Sequence, residues 1–233
     1  MQYQLKYLGL VWVTALLAVT APVIPMGSIA PLVAQAQTVE DQKAEAERLF
    51  QQGVQEYRRG QYQQALATYQ QALEIQQALN DQAGIGQTLN NIGEVYYWLR
   101  QHEAALTSLQ QALSIRIALK DRAGEGETLD NLGITYYGLK DSEQALETLQ
   151  QALSIRQELQ DRSGEGKTLS NIGAVYAFSL QQSSQGLETL QQALAIQEEV
   201  GDKFHAEITL RKSAGRMKAW KTILALWSGQ RKR

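Results

Sequence analysis

A pattern that recurs every 40 residues constrains this chain more than any other feature. Leu49-Phe50-Gln51-Gln52-Gly53 returns as Leu89-Asn90-Asn91-Ile92-Gly93, then Leu129-Asp130-Asn131-Leu132-Gly133, then Leu169-Ser170-Asn171-Ile172-Gly173. Three other series keep the same step: Ala65, Ala105, Ala145; Ala72, Ala112, Ala152; and Ile75, Ile115, Ile155. Their fourth members, Gly186, Ala193 and Ile196, fall one residue late, which places a one-residue insertion within Ser179–Ser184. A fixed period of this size means stacked supersecondary units, each too small to bury its apolar face alone.

Each unit reads as two helices. In the second unit the apolar positions Leu89, Ile92, Tyr96 and Leu99 step by three or four residues, predicting helix A over about Gly86 to Leu99. Leu106, Leu109, Leu113 and Ile115 predict helix B over about Glu103 to Leu119. Pro22, Pro25 and Pro31 are the chain's 3 prolines, so nothing after residue 31 breaks a helix in that way. Gly84, Gly124 and Gly164, each three residues after an aspartate, read as helix stops. Two antiparallel helices approach to about 8–10 Å only where side chains allow it. Gly93 and Ala105 are expected at that crossing, and Ala112 where helix B meets the next helix A. A large residue at Gly93 would overpack the pair, at a cost of about 1–3 kcal/mol.

The spacing of Gly93, Tyr96, Ala105, Leu109 and Ala112 resembles the small–aromatic–small–large–small signature of the tetratricopeptide repeat. At the turn between the two helices, where that family often has glycine, the units carry Gly60, Arg100, Lys140 and Leu180. The proline that often ends helix B is replaced by Gln77, Ile117, Gln157 and Glu198. The longer period, and Asp121-Arg122-Ala123-Gly124-Glu125-Gly126-Glu127-Thr128-Leu129 in particular, are similar to the repeats of kinesin light chains and of the LGN/Pins adaptors. With its leader and its glutamine content, the chain also resembles exported cyanobacterial tetratricopeptide proteins, many of which continue into a CHAT protease-like domain. The resemblance implies an all-α, right-handed α-solenoid of stacked hairpins. The repeats fall at about 44–83, 84–123, 124–163 and 164–203. It also implies a non-enzymatic scaffold or adaptor that binds a peptide or protein along the concave face lined by the A helices. The alternative is a sensor fragment of a truncated or frame-shifted CHAT-type protein.

On those helices Asn91, Asn131 and Asn171 would form, by resemblance to kinesin light chains, a ladder whose donors and acceptors suit an extended peptide backbone. The alternative use of the same chemistry is to hydrogen-bond neighbouring helices. Asn90 and Asp130 lie beside the ladder. Tyr57, Tyr97 and Tyr137, four residues past their glycines, and Trp98 are candidate aromatic anchors for the peptide-binding groove. Tyr96, Tyr136 and Tyr176 are expected in the core. The Lys/Asn pair by which some relatives grip a C-terminal carboxylate is replaced by Phe50 and Val54.

Other chemistries find little support. With no cysteine there is no disulfide framework, thiolate metal site or cysteine nucleophile. His102 and His205 have no partner at ligand spacing and read as solvated surface residues, so no metal or cofactor is expected. No nucleophile–base pair or phosphate loop is present, and no catalytic residue is assigned. Residues 37–202 carry a net charge of −11, which does not suit nucleic acid and predicts a neutral or basic partner. Residues 203–233 carry +8.

The two ends are distinct. Lys6, the apolar run Leu8 to Val19, Pro22 and Ala34-Gln35-Ala36 are laid out as a signal peptide cleaved after Ala36. A short linker, 37–43, would follow, and the protein would be exported. An uncleaved membrane anchor is the alternative. Residues 204–233 read as a degenerate fifth repeat: Arg211-Lys212-Ser213-Ala214-Gly215 stands where an Asn-Ile-Gly run was due. Leu210, Met217, Trp220, Leu224 and Trp227 predict a basic helix that caps the array, contacts a membrane, or marks a truncated end.

Overall fold

The structure, a computed structural model, describes residues 29–180 and 182–214. The leader before residue 29 and the tail after residue 214, on which the signal and membrane readings rest, lie outside the described residues. Among the described residues no helix is long and apolar enough to cross a membrane. The chain divides into two units, Met1–Ala44 and Glu45–Arg233. In the first, the described residues are helical, including 37–43, where a linker was expected.

The second unit is a series of helical hairpins. The elements are α1 (Ile29–Arg58, of which the residues from Glu45 on belong to this unit), α2 (Tyr62–Ala78), α3 (Gln82–Trp98), α4 (His102–Ala118) and α5 (Arg122–Gly138). They continue as α6 (Ser142–Glu158), α7 (Arg162–Ala174), α8 (Ser183–Glu199) and α9 (Lys203–Ala214). Odd-numbered elements are A helices and even-numbered ones are B helices. No strand occurs among the described residues.

The aspartates start the A helices, and the glycines after them do not stop anything. Asp81, Asp121 and Asp161 are N-caps whose side chains accept from the backbone N–H of Gly84, Gly124 and Gly164 at 3.0, 2.9 and 2.9 Å. Such a cap is worth about 1 kcal/mol. These glycines lie inside the first turn because the space above them is taken. A Cβ on Gly124 would fall 2.1 Å from Asp121 Oδ2 and 2.3 Å from an Arg116 nitrogen. Helix ends are closed by Asn80, Arg100, Lys120, Lys140 and Gln160, all with φ between 54° and 68°. Each gives the paired closure of a Schellman motif, as in Gln101 N–H to Tyr96 O at 2.9 Å and Arg100 N–H to Tyr97 O at 3.0 Å. The left-handed conformation costs a side-chain-bearing residue about 1–2 kcal/mol, a cost that, among the described helix ends in this conformation, Gly60 and Gly201 avoid.

Within a hairpin the helices cross at a glycine. A Cβ on Gly93 would lie 2.5 Å from Leu109 Cγ and 3.3 Å from Ala105 O; Gly133 stands in the same relation to Leu149 and Ala145. Leu109 and Leu149 are fully buried there, each contributing about 1.5–3 kcal/mol of apolar burial. Ala112 clusters with Ile85 and Leu89 of α3, its own hairpin partner. Tyr96, Tyr136 and Tyr176 pack half-buried against the core clusters.

The extra residue of the fourth unit is absorbed by a π-helical turn, Val175–Ser179, that continues α7. Its wider ring is closed by Leu180 N–H to Val175 O at 3.2 Å. This turn pushes the Ala177 backbone against α8, so a Cβ on Gly186 would come within 2.7 Å of Ala177 N. That is why glycine stands where the other units place a fully buried alanine. Gly186→Ala is therefore expected to destabilise the protein by about 1–3 kcal/mol. Ala145→Gly should cost only about 0.5–1 kcal/mol. Urea unfolding of both variants checks the order.

Candidate functional site

The A helices line a groove of about 670 Å³ that runs from Tyr57 on α1 to Lys212 on α9. All but two of its lining residues, Tyr62 and Gln197, come from A helices. One end is aromatic. The Trp98 ring stacks on Tyr62 with centroids 5.9 Å apart and planes within 3°, and Tyr97 meets Trp98 edge-on at 5.6 Å. The Trp98 indole N–H donates to Tyr57 Oη at 2.7 Å, and Tyr57 in turn donates to Glu94 Oε1 at 2.6 Å. Burial, reinforced by the Glu94 carboxylate, raises the Tyr57 phenol far above its usual range, so it stays a donor.

The floor is polar. Asn131 and Asn171 line the groove with Ser170, Lys167 and Lys212. Asn91 is not among the lining residues; its amide donates to Tyr69 Oη at 3.3 Å. Asn90 and Asp130, proposed as groove residues from sequence, are fully buried beneath it. They fasten each A helix to its neighbours. Asn131 Nδ2 donates to Asn90 Oδ1 at 3.1 Å, and Thr168 Oγ1 donates to Asp130 Oδ1 at 2.7 Å. Thr209 Oγ1 donates to Ser170 Oγ at 2.8 Å. Burial raises the Asp130 pKa, opposed by Lys167, Thr168 and Arg156.

The ladder's last rung is filled from within the chain. Lys212 stands one repeat beyond Asn171, allowing for the extra residue, and its ammonium donates to Asn171 Oδ1 at 2.9 Å and to Ser170 Oγ at 3.3 Å. Burial, and then the charge of Lys167, push Lys212 down to about 8. His205 also borders the groove, its Nδ1 2.6 Å from Asp202 Oδ2, so it is paired and not simply solvated. His102 differs from expectation too: its ring lies under Gly138 and against Tyr97 at 5.4 Å, and its Nδ1 is buried without a partner.

Tyr137 lies outside the groove. It joins Tyr97 and Trp98 in a second cavity of about 680 Å³ at the turn ends of the A helices. Phe178 lines this cavity as well. Sequence reasoning missed it because the π turn moves the aromatic one place beyond the Tyr57–Tyr97–Tyr137 spacing. The late arrival of Gly186 was the available signal. Among the described residues no group of three or more His, Cys, Asp or Glu side chains is placed to hold a metal.

Because native Lys212 loses its proton near pH 8 while the unfolded side chain holds it to about 10.4, stability is expected to rise with pH across that interval. Denaturant titrations at several pH values between those limits should show the rise, and Lys212→Met should flatten it.

Residues 84–158 match the tetratricopeptide repeat family, and residues 41–75 match it separately. No curated protein sequence matches the chain. Among solved structures, BtubC (BKLC) from P. vanneervenii superposes with a TM-score of 0.59 at 24% identity, over 67% of this chain and 64% of that one. A Rap protein complexed with Competence and Sporulation Factor gives 0.63 at 19% identity, over 78% and 56%. A Podospora anserina kinesin light chain of nearly identical repeats gives 0.58 at 18% identity, over 82% and 90%. The chain thus spans less than two thirds of the first two. All three likenesses are likenesses of fold. Repeats in register, each an A/B hairpin crossed at a glycine, make residues 45–199 a solenoid of helical hairpins, of which 84–158 and the first hairpin up to residue 75 match tetratricopeptide repeats.

Proposed function

We propose that the protein is a non-catalytic binding module that holds an extended polypeptide in the groove of its A helices. The observation that carries this reading is the groove itself. It is about 670 Å³ in volume and lined by all five A helices, with an aromatic end and a polar floor. Asn171 offers its amide NH2 to a peptide backbone, and Tyr97 and Trp98 offer ring faces to apolar side chains. One Rap protein of this fold was solved with Competence and Sporulation Factor and another with the Phr* peptide, which supports the same use of the fold here. The tetratricopeptide fold is typically non-catalytic, which supports a binding role.

The internal bonds of the ladder decide how the reading is tested. Asn91, Asn131 and Asn171 each bond another helix, the last through Lys212, so the informative change is Asn171→Ala with Lys167→Ala, and Lys212→Met, which breaks the same bond but keeps both side chains, is its control. Peptides selected from a random library on the full chain should lose about tenfold or more in affinity on Asn171→Ala with Lys167→Ala. They should be indifferent to Gln110→Ala, an exposed B-helix residue. Selected peptides that ignore the groove changes would refute the reading.

We further propose export, supported by Lys6, the apolar run Leu8 to Val19 and the small residues Ala34 and Ala36. The expected outcome is an N-terminus at Gln37 on protein recovered outside the cytoplasm. Recovery there with Met1 in place would favour the membrane anchor.

A further inference from the structure

The second cavity has an identifiable steric origin. Along one column of the A helices the side chains run Arg58, Trp98, Gly138, Ser179, so bulk is lost at α5. The space over Gly138 is walled by Trp98, half exposed, and by Tyr97, Tyr137 and Phe178. His102 fills the floor, where a Gly138 Cβ would meet its Cε1 at 2.8 Å. The rim is set by Arg100 and Lys140, the turn residues where the first hairpin has Gly60.

The charge of this cavity runs against the rest of the array. Residues 37–202 carry a net −11, yet no Asp or Glu is among the residues that line the cavity, while Arg100, His102 and Lys140 are. Arg116, Arg122, Arg156 and Arg162 all form ion pairs within the chain. Arg100 and Lys140 form none among the described residues. Unpaired cations beside four aromatic walls suit an occupant that is both anionic and aromatic. Two cations at one cavity do not neutralise the run of phosphates that a nucleic-acid backbone carries.

We infer that this cavity receives the aromatic side chain of an acidic polypeptide segment, with the neighbouring carboxylates facing Arg100 and Lys140. The local preference is thus the opposite of the neutral or basic partner that the net charge predicts. The inference rests on the groove reading only in taking a polypeptide as the partner.

The test uses the full chain and the blocked peptide acetyl-Glu-Asp-Phe-Asp-Glu-amide, followed by amide NMR titration. The expected result is shifts at Gly138, Arg100 and Lys140, and affinity that falls as salt is raised. Affinity should drop about tenfold or more with Arg100→Glu plus Lys140→Glu. Gly138→Trp should abolish binding; because it also displaces His102, its fold is verified by circular dichroism, and the surface double variant carries the test if it does not fold. The neutral analogue with Gln and Asn, and the analogue with Ala for Phe, should each bind much more weakly. Equal binding of either analogue, no binding of the acidic peptide, or indifference to the double reversal would overturn the inference. Loss of the peptide on Asn171→Ala to the same degree would also overturn it, by placing the peptide in the groove. If library peptides ignore the groove changes while this peptide obeys the cavity changes, the groove reading fails and the cavity stands.

Discussion

Everything in this solenoid depends on helices that touch where one of them has no side chain. At Gly93, Gly133 and Gly173 a leucine from the partner B helix takes the volume a Cβ would need. Close approach fixes the hairpin angle, and the hairpin angle points Asn, Ser and Tyr of each A helix to the same side. The groove follows from the crossing: Asn131 and Asn171, two before their glycines, and Tyr57 and Tyr97, four beyond theirs, line it. The first hairpin shows the tolerance of the rule, since Gly53 meets the Tyr69 ring in place of a leucine.

A second layer of order links one hairpin to the next. Buried polar atoms meet between consecutive A helices at Asn90–Asn131, Asp130–Thr168 and Ser170–Thr209. A buried polar group that loses its partner costs about 1–3 kcal/mol, so these contacts discriminate strongly against a slipped stack while adding little net stability when made. The same chemistry that can read a peptide backbone is here partly spent on holding the scaffold. Lys212 is the extreme case, occupying Asn171 from the next A helix of the same chain.

The architecture was legible because it is written as periodicity: the 40-residue step, the glycine–alanine crossing and the one-residue insertion can all be read directly. Helix starts were misread, because Asp121-Arg122-Ala123-Gly124 looks the same as a stop followed by a turn as it does as a cap followed by a crowded first turn. Only the Arg116 and Asp121 side chains above Gly124 separate the two. Site residues were less legible for a related reason. Asn90 and Asn91 are adjacent and chemically identical, yet about 100° of helical rotation puts one fully inside the stack and the other at its edge. Phe178 and the floor lysine Lys212 belong to repeats whose register or consensus is broken, where periodicity stops being informative.

The π turn at Val175–Ser179 ties two positions on different helices into one heritable unit. The extra residue occupies room that, in the other hairpins, belongs to a B-helix methyl group, and Gly186 has surrendered that methyl. Removing the residue alone would leave a hole against α8, and restoring the methyl alone would drive it into the Ala177 backbone. Each change is harmful by itself and harmless with the other. The fourth repeat is thus separated from its siblings by a valley of sign epistasis, and Phe178 keeps its place at the cavity wall only on the far side of it.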